Sequence, residues 1–127
     1  MPDKHLFEYA VIRLVPRVER EEFLNVGVIL YSRSQKFLKA VSRIDAARLS
    51  AFSPSIDVEE IQSHLQAFER IAEGAADCGP IARLDNAGRF RWLTATRSTV
   101  VQTSKVHPGF CEDSETALNR LVTQLVL

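Results

Sequence analysis

The chain has 127 residues and a mass of 14.3 kDa, a length that suits one domain and leaves little for a second. Hydrophobic residues make up 46% and charged residues 25%, ordinary globular proportions that exclude a disordered tail or a fibrous repeat. With 16 Lys/Arg against 16 Asp/Glu the formal net charge is +0, which excludes a histone-like nucleic-acid binder and any general attraction to an anionic membrane.

The first residues, Met1 to Glu8, carry acids and no long apolar stretch, unlike a signal peptide. Phe7 to Val15 is rich in β-branched and aromatic residues and ends at Pro16, which predicts a strand. Its alternation places Phe7, Tyr9, Val11, Arg13 and Val15 on one face, and Glu8, Ala10, Ile12 and Leu14 on the other. Arg13 is the one charge on an apolar face, so it must reach the sheet rim or find a partner. Pro16 to Glu22 is a polar loop or a single helical turn. Leu24 to Ser32 is apolar on both faces and predicts a central strand covered on both sides. Gly27 within it marks a bulge or a close approach. Beyond the polar Arg33–Lys36 connection, Phe37 to Ile44 predicts a third strand, antiparallel to the second.

Asp45 caps a short helix, Ala46 to Phe52, that stops before Pro54. The main helix starts at a D-x-x-E signal, Asp57 with Glu60. It carries a stripe of Val58, Ile61, Leu65, Phe68 and Ala72, and Gly74 terminates it. Ala75 to Gly88 is irregular. From Arg89 to Thr94, Phe90 and Trp92 alternate with Arg89 and Arg91, predicting a half-buried strand. Ser98 to Ser104 is a second β-type run, and His107-Pro108-Gly109 a turn. Ser114 caps a last helix with Leu118, Leu121, Val122 and Leu125 inward, and Glu112, Asp113 and Glu115 sit where its dipole favours acids. Strands grouped in hairpins rather than alternating with helices predict a single α+β domain over 1–127, a mainly antiparallel sheet of about five strands with two main helices packed on it.

Cys78 and Cys111 form no C-x-x-C pair and are expected as free thiols in a reducing cytosol. The longest apolar run, Val28 to Tyr31, falls far short of the roughly 20 residues of a membrane helix. A soluble, cytoplasmic protein without membrane contact is therefore expected. Glycine-rich phosphate loops, H-E-x-x-H, zinc-spaced Cys/His clusters and G-x-S-x-G are all missing, so neither metal nor cofactor is expected.

Charge is unevenly spread. Residues 1–56 carry nine Lys/Arg against six Asp/Glu, residues 57–80 one against six, residues 81–111 five against one, and residues 112–127 one against three. Acids on outer helix faces account for this, and so does a basic patch folded from the first and third segments. Three constellations bear on chemistry. Arg89, Arg91, Arg97, Ser98, Thr99, Gln102 and Lys105 combine guanidinium forks with hydroxyls and amides, either an anion-binding surface or a solvated strand pair. Asn25 is an amide on a core-like strand, clamping the preceding loop or facing a ligand. His107 and Cys111, four apart, are a nucleophile–base dyad or two incidental residues.

Taken together, several segments resemble a known family. They are Tyr9–Pro16, Glu22–Leu30, Gly79-Pro80-Ile81, Arg89–Leu93, Arg97-Ser98-Thr99 and His107-Pro108-Gly109. The chain resembles the bacterial family named domain of unknown function 3037 from about Phe7 to Leu121. The resemblance implies a small stand-alone bacterial protein. It also implies a protein partner, because some members are encoded near HipA-type kinase-like proteins. No activity comes with it.

The leading expectation is a module that binds a partner protein or a phosphorylated ligand through a rim of Arg13, Asn25, Arg91, Arg97, Ser98 and Thr99. The alternative is an enzyme on phosphate esters or nucleic acid, with the arginines stabilising negative charge and His107 as general base. A third reading is a homodimer through the C-terminal helix, Ser114 to Leu127.

Overall fold

The first strand, β1 (His5–Leu14), organises the molecule because it is long enough to be paired twice on one side. In the computed structural model, which describes residues 4–95 and 99–127, one edge of β1 carries β2 (Leu24–Ser32) from Glu8 to Leu14. Its other edge is shared by two short strands, β4 (Val101–Thr103) against Ile12–Leu14 and β5 (His107–Cys111) against His5–Tyr9. With β3 (Phe37–Ser42) outside β2, the order is β3-β2-β1-β4, and β5 also pairs with β1. Every pairing is antiparallel.

Four α-helices complete the α+β fold: α1 (Ala46–Phe52), α2 (Val58–Glu73), α3 (Asn86–Leu93) and α4 (Ser114–Leu125). Asp45 caps α1, accepting from the amides of Ala47 and Arg48. Asp57 does the same for α2 with Glu59 and Glu60. Gly74 ends α2 in the left-handed region at φ 75°, which costs a glycine nothing. Ala10, Ile12, Leu14, Ile29 and Tyr31 form the sheet side of one apolar cluster, and α1, α2 and α3 supply Leu49, Ile61, Leu65, Phe90 and Leu93. The opposite sheet face has one helix. Phe7, Val28 and Leu30 pack there against Ala117, Leu118, Leu121 and Val122 of α4.

Three sequence expectations are corrected. The segment Arg89–Thr94 is the end of a helix, α3, and not a strand. Its alternation spans too few residues to outvote Asp85, whose carboxylate accepts from Gly88 N at 2.8 Å as an N-cap. The inward pair is Phe90 and Leu93, one helical turn apart, while Trp92 points outward. The α-helices therefore number four among the described residues, where one short helix and two main ones were expected. The five strands nevertheless stand, because His107–Cys111 is a strand where a turn was expected. Pro108 is tolerated there because β5 is an edge. Gly109 is needed because a Cβ would lie 2.5 Å from Cζ of Phe7. Between β4 and β5 the ladder is interrupted, and the buried Ser104 Oγ fills the gap by accepting from Val11 N at 2.9 Å. Finally, Asp113 rather than Ser114 caps α4, accepting from Thr116 N at 2.9 Å. Ser114 is the first helical residue, and its amide donates to Gln35 Oε1 at 2.7 Å.

Candidate binding site on the α4 face of the sheet

The pairing of β1 with β2 slips by one residue between Ile12↔Gly27 and Arg13↔Asn25, which leaves Val26 as the extra residue of a β-bulge. Next to it Gly27 admits the β3 backbone, since a Cβ would stand 2.5 Å from the Val41 carbonyl oxygen. Gly27 thus sits beside the bulge, and the backbone that comes close to it is that of β3 in the same chain. The bulge sends Val26 into the helix-rich core. It also turns Asn25 to the α4 face, opposite Arg13.

Asn25 does clamp the structure, but across the chain and not at the preceding loop. Its Nδ2 donates to the Leu125 carbonyl at 3.1 Å. Arg48 Nη1 donates to the Val126 carbonyl at 3.2 Å. Two carbonyls that the last turn of α4 leaves without helical partners are thus satisfied from β2 and α1, and Arg48 adds a positive charge where the dipole favours one. The other end of the amide is not satisfied. Asn25 Oδ1 and Arg13 Nε are both buried, and neither has a hydrogen-bond partner. The Arg13 guanidinium lies over the Phe23 ring, 4.0 Å from its centroid, a stacking that attracts the cation to the ring face. No carboxylate pairs with Arg13 among the described residues. On the far side of Arg13, its partner on β4 is Gln102, whose Nε2 donates to the Thr99 carbonyl at 2.7 Å.

The structure thus brings Arg13 and Asn25 together and sets Thr99 at the same end of the sheet. Arg91 goes elsewhere. It projects from α3 on the opposite face, where Nη1 donates to Glu8 Oε2 at 3.2 Å. Arg89 is consumed by the fold: Nε donates to the Ala72 carbonyl at 3.3 Å, and Nη1 and Nη2 donate to the Leu84 carbonyl and Asn86 Oδ1. The basic run in the sequence is dispersed once Arg89 and Arg91 lie on a helix. Arg97 and Ser98 lie outside the described residues.

His107 shares the face of Arg13, opposite Tyr9, with the two rings 5.4 Å apart. Tyr9 and Arg13 are four residues apart on one strand, so His107 stands roughly 13 Å from Arg13, out of hydrogen-bond reach. The same spacing separates His107 from Cys111 by about 13 Å along β5. Cys111 packs toward α4, with Sγ 4.0 Å from Ser114 Oγ. Both cysteines are free. Among the described residues no three His, Cys, Asp or Glu side chains are grouped to hold a metal ion. A separate cleft of about 670 Å³ between α2 and the start of β4 is lined by Ile56, Ile61, His64, Thr99 and Val101. Of the predicted site residues that the structure describes, it holds only Thr99.

Phe23 is the member of the site that the sequence reading passed over. Its position two residues before Asn25 puts it on the same strand face, once Asn25 is known to pair with Arg13. The shifted pKa values lie outside the site. The Asp77 carboxyl is held below its ordinary range by the hydrogen bond from Arg70, whose own pKa is raised by that contact. The Asp113 carboxyl is held down by the Thr116 hydroxyl and amide.

A family model described as Protein of unknown function (DUF3037) matches residues 9–126. No curated protein matches the chain, and no solved structure does. No helix among the described residues is long and apolar enough to cross a membrane.

Proposed function

We propose that this chain, which belongs to the DUF3037 family, is a binding module that takes an anionic group, a carboxylate or a phosphate, at Arg13. The observation that carries this reading is a half-buried arginine whose buried Nε donor is unused and which has no carboxylate partner among the described residues. A buried donor without an acceptor is costly, and one charge-assisted hydrogen bond to an incoming anion would relieve it. The Phe23 ring holds the guanidinium plane in place before the ligand arrives, which lowers the ordering cost of binding. Asn25 Oδ1 offers an acceptor beside the donor, so a ligand with an N–H or O–H next to its anionic group fits best. The roughly 13 Å between Arg13 and His107 favours binding over catalysis by that pair.

The test is a titration with inorganic phosphate and with acetate, followed on the Arg13 Nε–H and Asn25 side-chain amide signals in ¹⁵N spectra. Saturable shifts in the millimolar range are expected, and they should vanish in Arg13→Leu. Linear drift alone, or equal shifts in the variant, would overturn the proposal.

A further inference from the structure

On the opposite face of the sheet, the end of β1 nearest the amino terminus is not covered by a helix. Leu6 on β1 and Phe110 on β5 are cross-strand partners there. They are 51% and 67% exposed, far more than the neighbouring Tyr31, which is buried against Phe90 of α3 with ring centroids 5.4 Å apart. The two side chains border a cleft of about 590 Å³, whose lining also includes Lys4, Glu8, Tyr31 and Arg33. Glu8 is already neutralised by Arg91. Lys4 and Arg33 are exposed and have no carboxylate partner among the described residues. An exposed aromatic and an exposed aliphatic side chain bordering a concave patch, with two cations in the same lining, is the anatomy of a protein-recognition surface. The outer edge of β5 is paired with no strand among the described residues, so its carbonyls, and its amides apart from Pro108, which has no N–H, are open to an added strand.

We propose that this cleft docks an extended, acidic segment of a partner protein. An apolar side chain of the segment sits between Leu6 and Phe110. Its carboxylates face Lys4 and Arg33, and its backbone runs along β5. The charge at the rim selects this occupant: a neutral apolar segment would leave both cations unanswered, and a basic one would be repelled. A second copy of this chain would set the same two cations against themselves across a two-fold axis. This surface is independent of the Arg13 site, which lies on the other side of the sheet.

The probe is a capped synthetic peptide alternating Asp with Leu and Phe, compared with its counterpart carrying Lys for Asp. The acidic peptide should shift the backbone amides of Leu6, Tyr31, Arg33 and the β5 residues. Its affinity should fall at least tenfold with Phe110→Ser and weaken with added salt. Because Phe110 and Arg33 are exposed, thermal unfolding should confirm that both variants stay folded. In Arg33→Glu the preference between the two peptides should narrow or reverse. Equal binding of the two peptides, no saturable binding of either, or shifts confined to the surroundings of Arg13 would each overturn the proposal. So would a concentration-dependent dimer that Phe110→Ser abolishes, because the occupant would then be a second copy.

Discussion

The two faces of the sheet solve the same packing problem with unequal means. One face is roofed by α1, α2 and α3 except at the amino-terminal end of β1, and its cluster runs from Leu14 and Ile29 to Phe90 and Leu93. The other has α4 alone, and where that helix ends the chain places Arg13 and Asn25 among apolar neighbours. Three helices leave no room for an unsatisfied polar atom, whereas a single helix that stops short exposes a seam. Among the described residues the two buried side-chain atoms without partners, Arg13 Nε and Asn25 Oδ1, both sit in that seam. Folding free energy is thus concentrated on one face, and a tolerated deficit on the other marks where a ligand has something to gain.

This contrast is open to experiment. The largest effect is expected on the crowded face. Phe90→Ala removes a fully buried ring that lies against Tyr31 and should cost about 3–5 kcal/mol in denaturant unfolding, without altering phosphate binding at Arg13. A loss below 1 kcal/mol would mean that α3 is not integral to the core. On the α4 face Asn25→Ala should cost less, about 1–3 kcal/mol, by leaving the Leu125 carbonyl without its donor. Amide exchange in the last turn of α4 should quicken more than elsewhere. If exchange rose evenly along the chain, the clamp would not be local. Smaller still is Arg91→Ala, which breaks an exposed pair with Glu8 and should cost below about 1 kcal/mol.

A pH series sharpens the picture at the other end of α4. The Asp113 carboxyl is held below its ordinary range by hydrogen bonds from the Thr116 hydroxyl and amide. A depressed carboxyl stabilises the fold fully above its unfolded pKa, and that contribution is lost as pH falls through the folded value. The urea midpoint of the wild-type chain should therefore fall more steeply below the ordinary carboxylate range than that of Asp113→Asn. Parallel curves would show that the cap is not formed in solution.

Much of the architecture was legible in the chain. Asp45, Asp57 and Gly74 carry their own punctuation, and the stripe from Val58 to Ala72 is long enough to leave only a helix. Arg89–Thr94 misled because two aromatics alternating with two arginines is a pattern of four residues, and a capping aspartate just upstream decided otherwise. Pro108 and Gly109 look like turn residues and serve instead at a sheet edge under the Phe7 ring. The site was half legible. Arg13 stood out as a charge on an apolar face, and Asn25 as an amide in a core strand. Their meeting depends on a bulge at Val26, a property of the ladder that composition does not carry. The basic run from Arg89 onward could not be resolved until a helix turned Arg89 inward to cap α2 and sent Arg91 to Glu8.

The most direct test of the Arg13 site is the denaturation midpoint of the wild-type chain and of Arg13→Leu, each measured with and without phosphate. A bound ligand stabilises only the form that binds it, and the general effect of a structure-promoting salt cancels between the two proteins. The account predicts that Arg13→Leu is at least as stable as wild type without phosphate, because a buried Nε donor without a partner has been replaced by an apolar side chain. It further predicts that the variant gains less from phosphate than the wild type does. A variant that is markedly less stable, yet gains as much from phosphate, would contradict the claim that Arg13 is held for an anionic ligand.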